Sequence, residues 1–267
     1  MNTETLELTV RGVAVRLAYL RRAGTQSPLV CLHGFGSTKE DYTDLALRED
    51  FAGRELVFWD APGCGSSWVS DPDALSIPFL VEVALAACDA LGLGAFHLSG
   101  HSMGGLAGLM LARASSHRVL SFFDIEGNVA PEDCFLSRQI VDFPAASPDD
   151  FLSGFKDRLR GRPEYASALY VAALDSKVRP ASVAPIFRSM VDMSDNAPLM
   201  DIMAGLGCPR AFVYGAQNRH LSYLGRLPDI GVEVIEIPHS GHFPMYSNPP
   251  ALWTELSAFI ERSEAQP

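Results

Sequence analysis

Long apolar runs are missing from the sequence. No stretch approaches the roughly 18 consecutive apolar residues that a membrane span needs, although 48% of its 267 residues are hydrophobic. A basic surplus is missing too. The 21 Lys and Arg stand against 32 Asp and Glu, and a net charge of −11 repels phosphate backbones and anionic lipid. The expectation is therefore no nucleic-acid partner and no membrane partner. The five cysteines, Cys31, Cys64, Cys88, Cys134 and Cys208, are odd in number and widely scattered, with neither a C-x-x-C nor a Cys/His ligand cluster. They fit a reduced compartment and offer no metal site. The N-terminal Met1-Asn2-Thr3-Glu4-Thr5 lacks the basic and apolar regions of a signal peptide, so a cytoplasmic location is expected. Repeats and low-complexity segments are absent as well, and the remaining composition is that of an ordinary globular protein.

What is present is a change of hydrophobic period along the chain. Leu6, Leu8 and Val10, then Val13, Val15, Leu17 and Tyr19, alternate at period two around Arg11-Gly12, which predicts an antiparallel hairpin. Continuous apolar runs follow at residues 29–32, 56–59, 95–98, 119–125, 211–214 and 232–237, as expected for strands of a parallel sheet covered on both faces. Helical patterns lie between them at residues 79–91, 103–114 and 250–262. This alternation predicts a three-layer α/β fold with a mostly parallel eight-stranded sheet. From residue 128 to 206 the alternation stops and only helical patterns appear, at 148–160, 163–176, 181–194 and 198–204, with prolines at or near each start. The expected organisation is a core of residues 1–127 and 207–267 with a helical insertion, 128–206, after the sixth strand.

Gly100-His101-Ser102-Met103-Gly104 directly follows one apolar run and directly precedes a helix. That is the context of a G-x-S-x-G nucleophile elbow, in which a sharp strand-to-helix turn lifts the serine hydroxyl clear of the sheet. A serine hydroxyl needs a base to accept its proton. The loop Pro238-His239-Ser240-Gly241-His242-Phe243-Pro244, after the last apolar run, offers His242, with His239 too near the strand end. His101 is expected to pack under the elbow, because neighbours in a tight turn point in different directions. His33, His97, His117 and His220 read as loop, core or surface residues.

With these motifs the chain resembles the α/β-hydrolase superfamily. It carries His33-Gly34-Phe35-Gly36 after the third expected strand, Asp60-Ala61-Pro62-Gly63-Cys64-Gly65 after the fourth, the elbow after the fifth and Gly241-His242-Phe243 after the eighth, in the family's order. The resemblance implies an oxyanion hole from the Phe35 and Met103 backbone N–H groups, the second at a helix N-terminus. It also implies a cap for residues 128–206, where Met190, Met193, Met200 and Met203 supply half of the eight methionines. Met190, Met193 and Phe243 are the candidate substrate contacts, with packing of the cap on itself as the equally open reading of the methionines. Arg138, Arg179 and Arg188 read as solvated. In most relatives the acid of the triad follows the seventh strand, but here that position is Asn218, and an amide stabilises an imidazolium poorly. Glu126 ends the sixth strand at the same sheet edge as Ser102, a position that haloalkane dehalogenases and zearalenone-type lactonases use. Glu126 is therefore the expected acid, with Asp124 in reserve; on that reading Glu126→Gln abolishes most turnover and Asn218→Ala changes little.

The implied activity is hydrolysis of a carboxylic ester or lactone of a small, largely apolar substrate through an acyl-enzyme, with Ser102, His242 and Glu126 as the triad and no cofactor. Serine where dehalogenases and epoxide hydrolases carry aspartate argues against those two reactions. Cleavage of a carbon–carbon bond in a diketone-like or ring-fission product is the alternative within enzymes. A non-catalytic small-molecule binding protein on the same scaffold is the alternative outside them. A homodimer is left open.

Overall fold

Arg11 and Gly12 take positive φ, 52° and 80°, the left-handed pair that a two-residue hairpin turn requires, and so fix the register of β1 (Thr3–Val10) on β2 (Val13–Arg22). The computed structural model, which describes residues 1–265, continues with β3 (Gln26–Leu32), β4 (Arg54–Trp59), β5 (Trp68–Val69), β6 (Phe96–His101), β7 (Val119–Ile125), β8 (Arg210–Gly215) and β9 (Glu233–Ile237). The sheet runs β1-β2-β4-β3-β6-β7-β8-β9, parallel from β4 to β9, with β5 paired to β2. The eight expected strands are therefore joined by a ninth, β5. Two residues are too few to show any periodicity, so nothing in the sequence marked it.

Nine α-helices accompany the sheet among the described residues: α1 (Ile77–Ala90), α2 (Met103–Ala114), α3 (Gln139–Asp142), α4 (Pro148–Leu159), α5 (Ser167–Lys177), α6 (Pro180–Asn196), α7 (Leu199–Ala204), α8 (Pro244–Ser247) and α9 (Pro249–Glu264). Local chemistry sets several of their starts. Ser76, Ser147 and Asn248 accept capping hydrogen bonds at α1, α4 and α9, each followed by proline in the first turn. On β7 the consecutive residues Phe122 and Phe123 face opposite ways. Phe122 meets α2 at Gly108, and Phe123 lies 5.5 Å from Phe259 of α9. The two helices thus cover opposite faces of the sheet, and both faces of its central strands are buried.

Helices α3 to α7 all fall between β7 and β8. Helix α5 begins at Ser167, four residues after the Pro163 expected to open it, because Ala166 turns the chain through a left-handed φ of 65°. Phe151, Phe155 and Phe187 from this stretch join the same buried cluster as the sheet residues. No helix among the described residues is long and apolar enough to cross a membrane.

Candidate active site

Strands β3, β6, β7, β8 and β9 are consecutive in the sheet, and their carboxyl ends lie side by side. Phe35 follows β3, Ser102 follows β6, Glu126 follows β7, Asn218 follows β8 and His242 follows β9. Five segments far apart in sequence therefore converge at one edge, where ligands of open α/β sheets bind.

The elbow is built by close approach. A Cβ on Gly100 would stand 2.3 Å from the Gly104 carbonyl oxygen, and one on Gly104 would stand 2.2 Å from that of Leu32. Only glycine lets α2 start so near β3 and β6. Between them Ser102 adopts φ 51° and ψ −116°, a left-handed conformation unfavourable for a serine. Its N–H is tied to the Ile125 carbonyl, and the Glu126 N–H to that of Val213, so the strand pairing fixes both turns.

Ser102 Oγ donates to His242 Nε2 at 3.0 Å, and His242 Nδ1–H donates to Glu126 Oε2 at 2.8 Å. All three are buried. Glu126 accepts two more bonds: Gly215 N–H to Oε1 at 2.7 Å and Asn218 Nδ2 to Oε2 at 2.6 Å. Both oxygens of this buried carboxyl group are therefore engaged. Asn218 thus has a contact that the sequence reading missed: the residue at the family's usual acid position holds the carboxylate that comes from the neighbouring strand. A polar residue at the end of β8 was the available signal.

Asp124, the reserve candidate, is fully buried and accepts from the Gly127 N–H at 3.1 Å, not from a histidine. Burial, with Asp133 nearby, raises its pKa well above the usual carboxylate range. His101 packs beneath the elbow, where its Nε2–H donates to the His242 carbonyl at 2.7 Å. Burial and the neighbouring His242 push its pKa well down, so it stays neutral and braces the histidine loop. His33 is also buried: its Nε2 accepts from the Ala61 N–H at 2.8 Å, linking the loops after β3 and β4. His239 is exposed.

Among the described residues neither the Phe35 nor the Met103 N–H donates to a protein group. The Phe35 carbonyl is held by Tyr170 Oη of α5 at 3.2 Å. Tyr170 also stacks on Phe243 at 4.3 Å. A cavity of about 320 Å³ opens beside His242 and is lined by Phe243, Phe135, Leu136, Tyr165 and Tyr170 among others. The methionine expectation is corrected here. Met190 is buried and Met193 packs against the core, and neither lines this cavity. Their helical spacing reflects the inner face of α6, a pattern that packing alone produces.

Residues 29–255 match the model of the alpha/beta hydrolase family. The chain is 31% identical over 88 residues to a proline iminopeptidase of Clostridioides difficile, a match spanning 33% of the chain and 30% of that protein. It is 38% identical over 101 residues to the dihydrolipoyllysine-residue acetyltransferase component of an acetoin cleaving system from Pseudomonas putida, spanning 36% of the chain and 25% of that protein. Among solved structures, a thermophilic esterase from Thermogutta terrifontis superposes with a TM-score of 0.76 at 20% identity, covering 97% of this chain and 99% of the other. An N-acyl homoserine lactonase, AidH, gives 0.76 at 21%, covering 100% and 99%. At these identities the two structures share the fold.

Proposed function

Because the chain belongs to the alpha/beta hydrolase family, we propose that this hydrolase cleaves a carboxylic ester or lactone of a small, largely apolar substrate through an acyl-enzyme. The observation that carries the reading is the chain of hydrogen bonds Ser102–His242–Glu126, 3.0 Å and 2.8 Å long, at the carboxyl edge of the sheet. His242 takes the proton of Ser102 as its oxygen attacks the carbonyl, and Glu126 steadies the imidazolium that forms. The Phe35 and Met103 N–H groups, which have no protein partner among the described residues, stabilise the oxyanion without reorganising. His242 then protonates the leaving oxygen, and water activated by the same histidine releases the acid. The helices between β7 and β8 act as a cap over this edge, with the apolar cavity beside His242 receiving the substrate.

Labelling with a fluorophosphonate tests the nucleophile. Wild-type protein is expected to take up one label at Ser102 and Ser102→Ala none; a folded wild type that stays unlabelled contradicts the reading. A panel of p-nitrophenyl esters, lactones and a proline amide then separates the classes, the amide representing the partial likeness to the iminopeptidase.

A further inference from the structure

A backbone N–H serves as an oxyanion donor only while it stays aimed, so the peptides around Phe35 have to be held. The Gly34 carbonyl, which shares a peptide plane with the Phe35 N–H, accepts from the Ser37 N–H at 3.1 Å and from His33 Nδ1–H at 2.7 Å. His33 Nε2 accepts from the Ala61 N–H, which leaves the ring proton on Nδ1. This peptide is pinned by its own loop. The next one is not. The Phe35 carbonyl has no backbone partner among the described residues, and its hydrogen bond comes from Tyr170 Oη of α5 at 3.2 Å, 135 positions away in sequence.

Helix α5 meets this loop along one face, on which Tyr170, Leu174 and Lys177 stand at i, i+4 and i+7. A Cβ on Gly36, whose φ is 78°, would lie 2.3 Å from Tyr170 Cε2 and 2.8 Å from Leu174 Cδ2, so both side chains rest directly on the loop backbone. The Tyr170 ring also stacks on Phe243, the residue after His242, with centroids 4.3 Å apart. Two turns along the helix, Lys177 Nζ donates to Asp41 and to Tyr246 Oη, both at 2.8 Å. Tyr246 stacks on Phe243 in turn, at 5.6 Å. Both Tyr170 and Lys177 therefore bridge the segment after β3, which carries Phe35, and the segment after β9, which carries His242.

We propose that Tyr170 is a positioning residue of the oxyanion hole. By holding the Phe35 carbonyl while stacked on Phe243, it fixes the Phe35 N–H relative to His242, and α5 thereby completes the catalytic edge from outside the sheet. Tyr170 acts through the Phe35 peptide and not on the reacting atoms. This rests on the serine-hydrolase reading.

Tyr170→Phe tests it on the full chain, because the ring and its stack stay while the hydroxyl goes. Fluorophosphonate titration counts the competent Ser102 sites, so kcat for the p-nitrophenyl ester that the wild type cleaves fastest is read per site. It is expected to fall by ~3- to 10-fold, the effect of one neutral hydrogen bond, with KM within ~2-fold. The second readout is the rate ratio between that ester and its thionoester, in which sulfur, a poor hydrogen-bond acceptor, replaces the carbonyl oxygen. A displaced oxyanion donor shrinks this ratio, which a purely structural defect leaves alone. An unchanged kcat, a change confined to KM, or a lower kcat at an unchanged ratio overturns the proposal. Should Tyr170→Phe yield no folded protein, Lys177→Met, on the same helix face and outside the cavity beside His242, decides: a smaller ester-to-thionoester ratio at unchanged KM supports the positioning role, and an unchanged ratio overturns it. If wild-type Ser102 takes no label and no ester is cleaved, the hydrolase reading itself fails. Labelled, active wild type with a silent Tyr170→Phe refutes the positioning role alone.

Discussion

Glu126 holds three hydrogen bonds, to His242, Gly215 and Asn218, and each has a different consequence. On the proposed mechanism Glu126→Gln removes the charge that steadies the imidazolium, and kcat is expected to fall by ~10³ to 10⁴. Asn218→Ala leaves the carboxylate but removes one of the two donors on Oε2, the oxygen that also holds His242. A hydrogen bond to a charged group contributes about 1.5–3 kcal/mol, so kcat is expected to fall by ~10-fold or more with KM little changed. This replaces the expectation from the sequence that Asn218 is dispensable; steady-state kinetics on both variants decide it, and a silent Asn218→Ala would restore the earlier reading. Asp124 makes a prediction about stability. With its pKa raised by burial, the native state keeps a proton that the unfolded chain has released. Stability therefore falls as pH rises above the ordinary aspartate range, by up to about 1.4 kcal/mol per pH unit until the folded pKa is reached. Asp133, pushed up to about 6 mainly by burial, acts with the same sign over the lower part of that range. Asp124→Asn, which keeps an acceptor for the Gly127 N–H, is expected to flatten the slope in urea unfolding at pH 5, 6.5 and 8.

Between elements, the loops that follow β3 and β4 are joined by a buried ion pair. Lys39 and Asp60 are both essentially inaccessible, and Lys39 Nζ donates to Asp60 Oδ2 at 2.8 Å while the Lys39 N–H donates to Oδ1 at 2.9 Å. Removing one partner strands a buried charge. Lys39→Met is expected to cost about 3–5 kcal/mol, and the double variant Lys39→Met with Asp60→Asn to recover much of it, as read from denaturant midpoints. Additive losses in the double variant would mean that the pair is not coupled. The junction of β6 and α2 tolerates even less. Gly104→Ala puts a methyl group 2.2 Å from the Leu32 carbonyl and is expected to destabilise by about 1–3 kcal/mol, or more if β3 cannot shift. The elements themselves were largely legible: the six apolar runs became β3, β4 and β6 to β9, and the predicted helix over 103–114 matches α2 residue for residue. Strong periodicity and clear punctuation made them so. β5 was not legible because it is held by pairing with β2 at only two positions, a tertiary fact with no local pattern.

At the scale of the molecule, one apolar cluster runs from Leu29 and Phe122 in the sheet to Phe155 and Phe187 in the helices between β7 and β8. Helix α5 is fastened to the core again through Lys177, which donates to Asp41 at 2.8 Å and to Tyr246 Oη at 2.8 Å. Elements that share a core unfold together. Calorimetry is expected to show one transition with equal van't Hoff and calorimetric enthalpies; two resolved transitions would make residues 128–206 an independent unit.

The chain of residues by itself determined the sheet's parallel core, the position of the elbow and the short set of polar residues that end its strands. Those features follow from local periodicity, glycine placement and turn chemistry, which a linear sequence carries. Tertiary structure decided which polar residues meet. Glu126 and Asn218 lie 92 positions apart, yet the adjacency of β7 and β8 makes them a hydrogen-bonded pair, amide to carboxylate. It also decided that the methionines of α6 face the core while Phe135, from a short segment without a periodic signal, stands at His242. Side-chain spacing gives the face of a helix, but what that face meets depends on the packing of the whole chain.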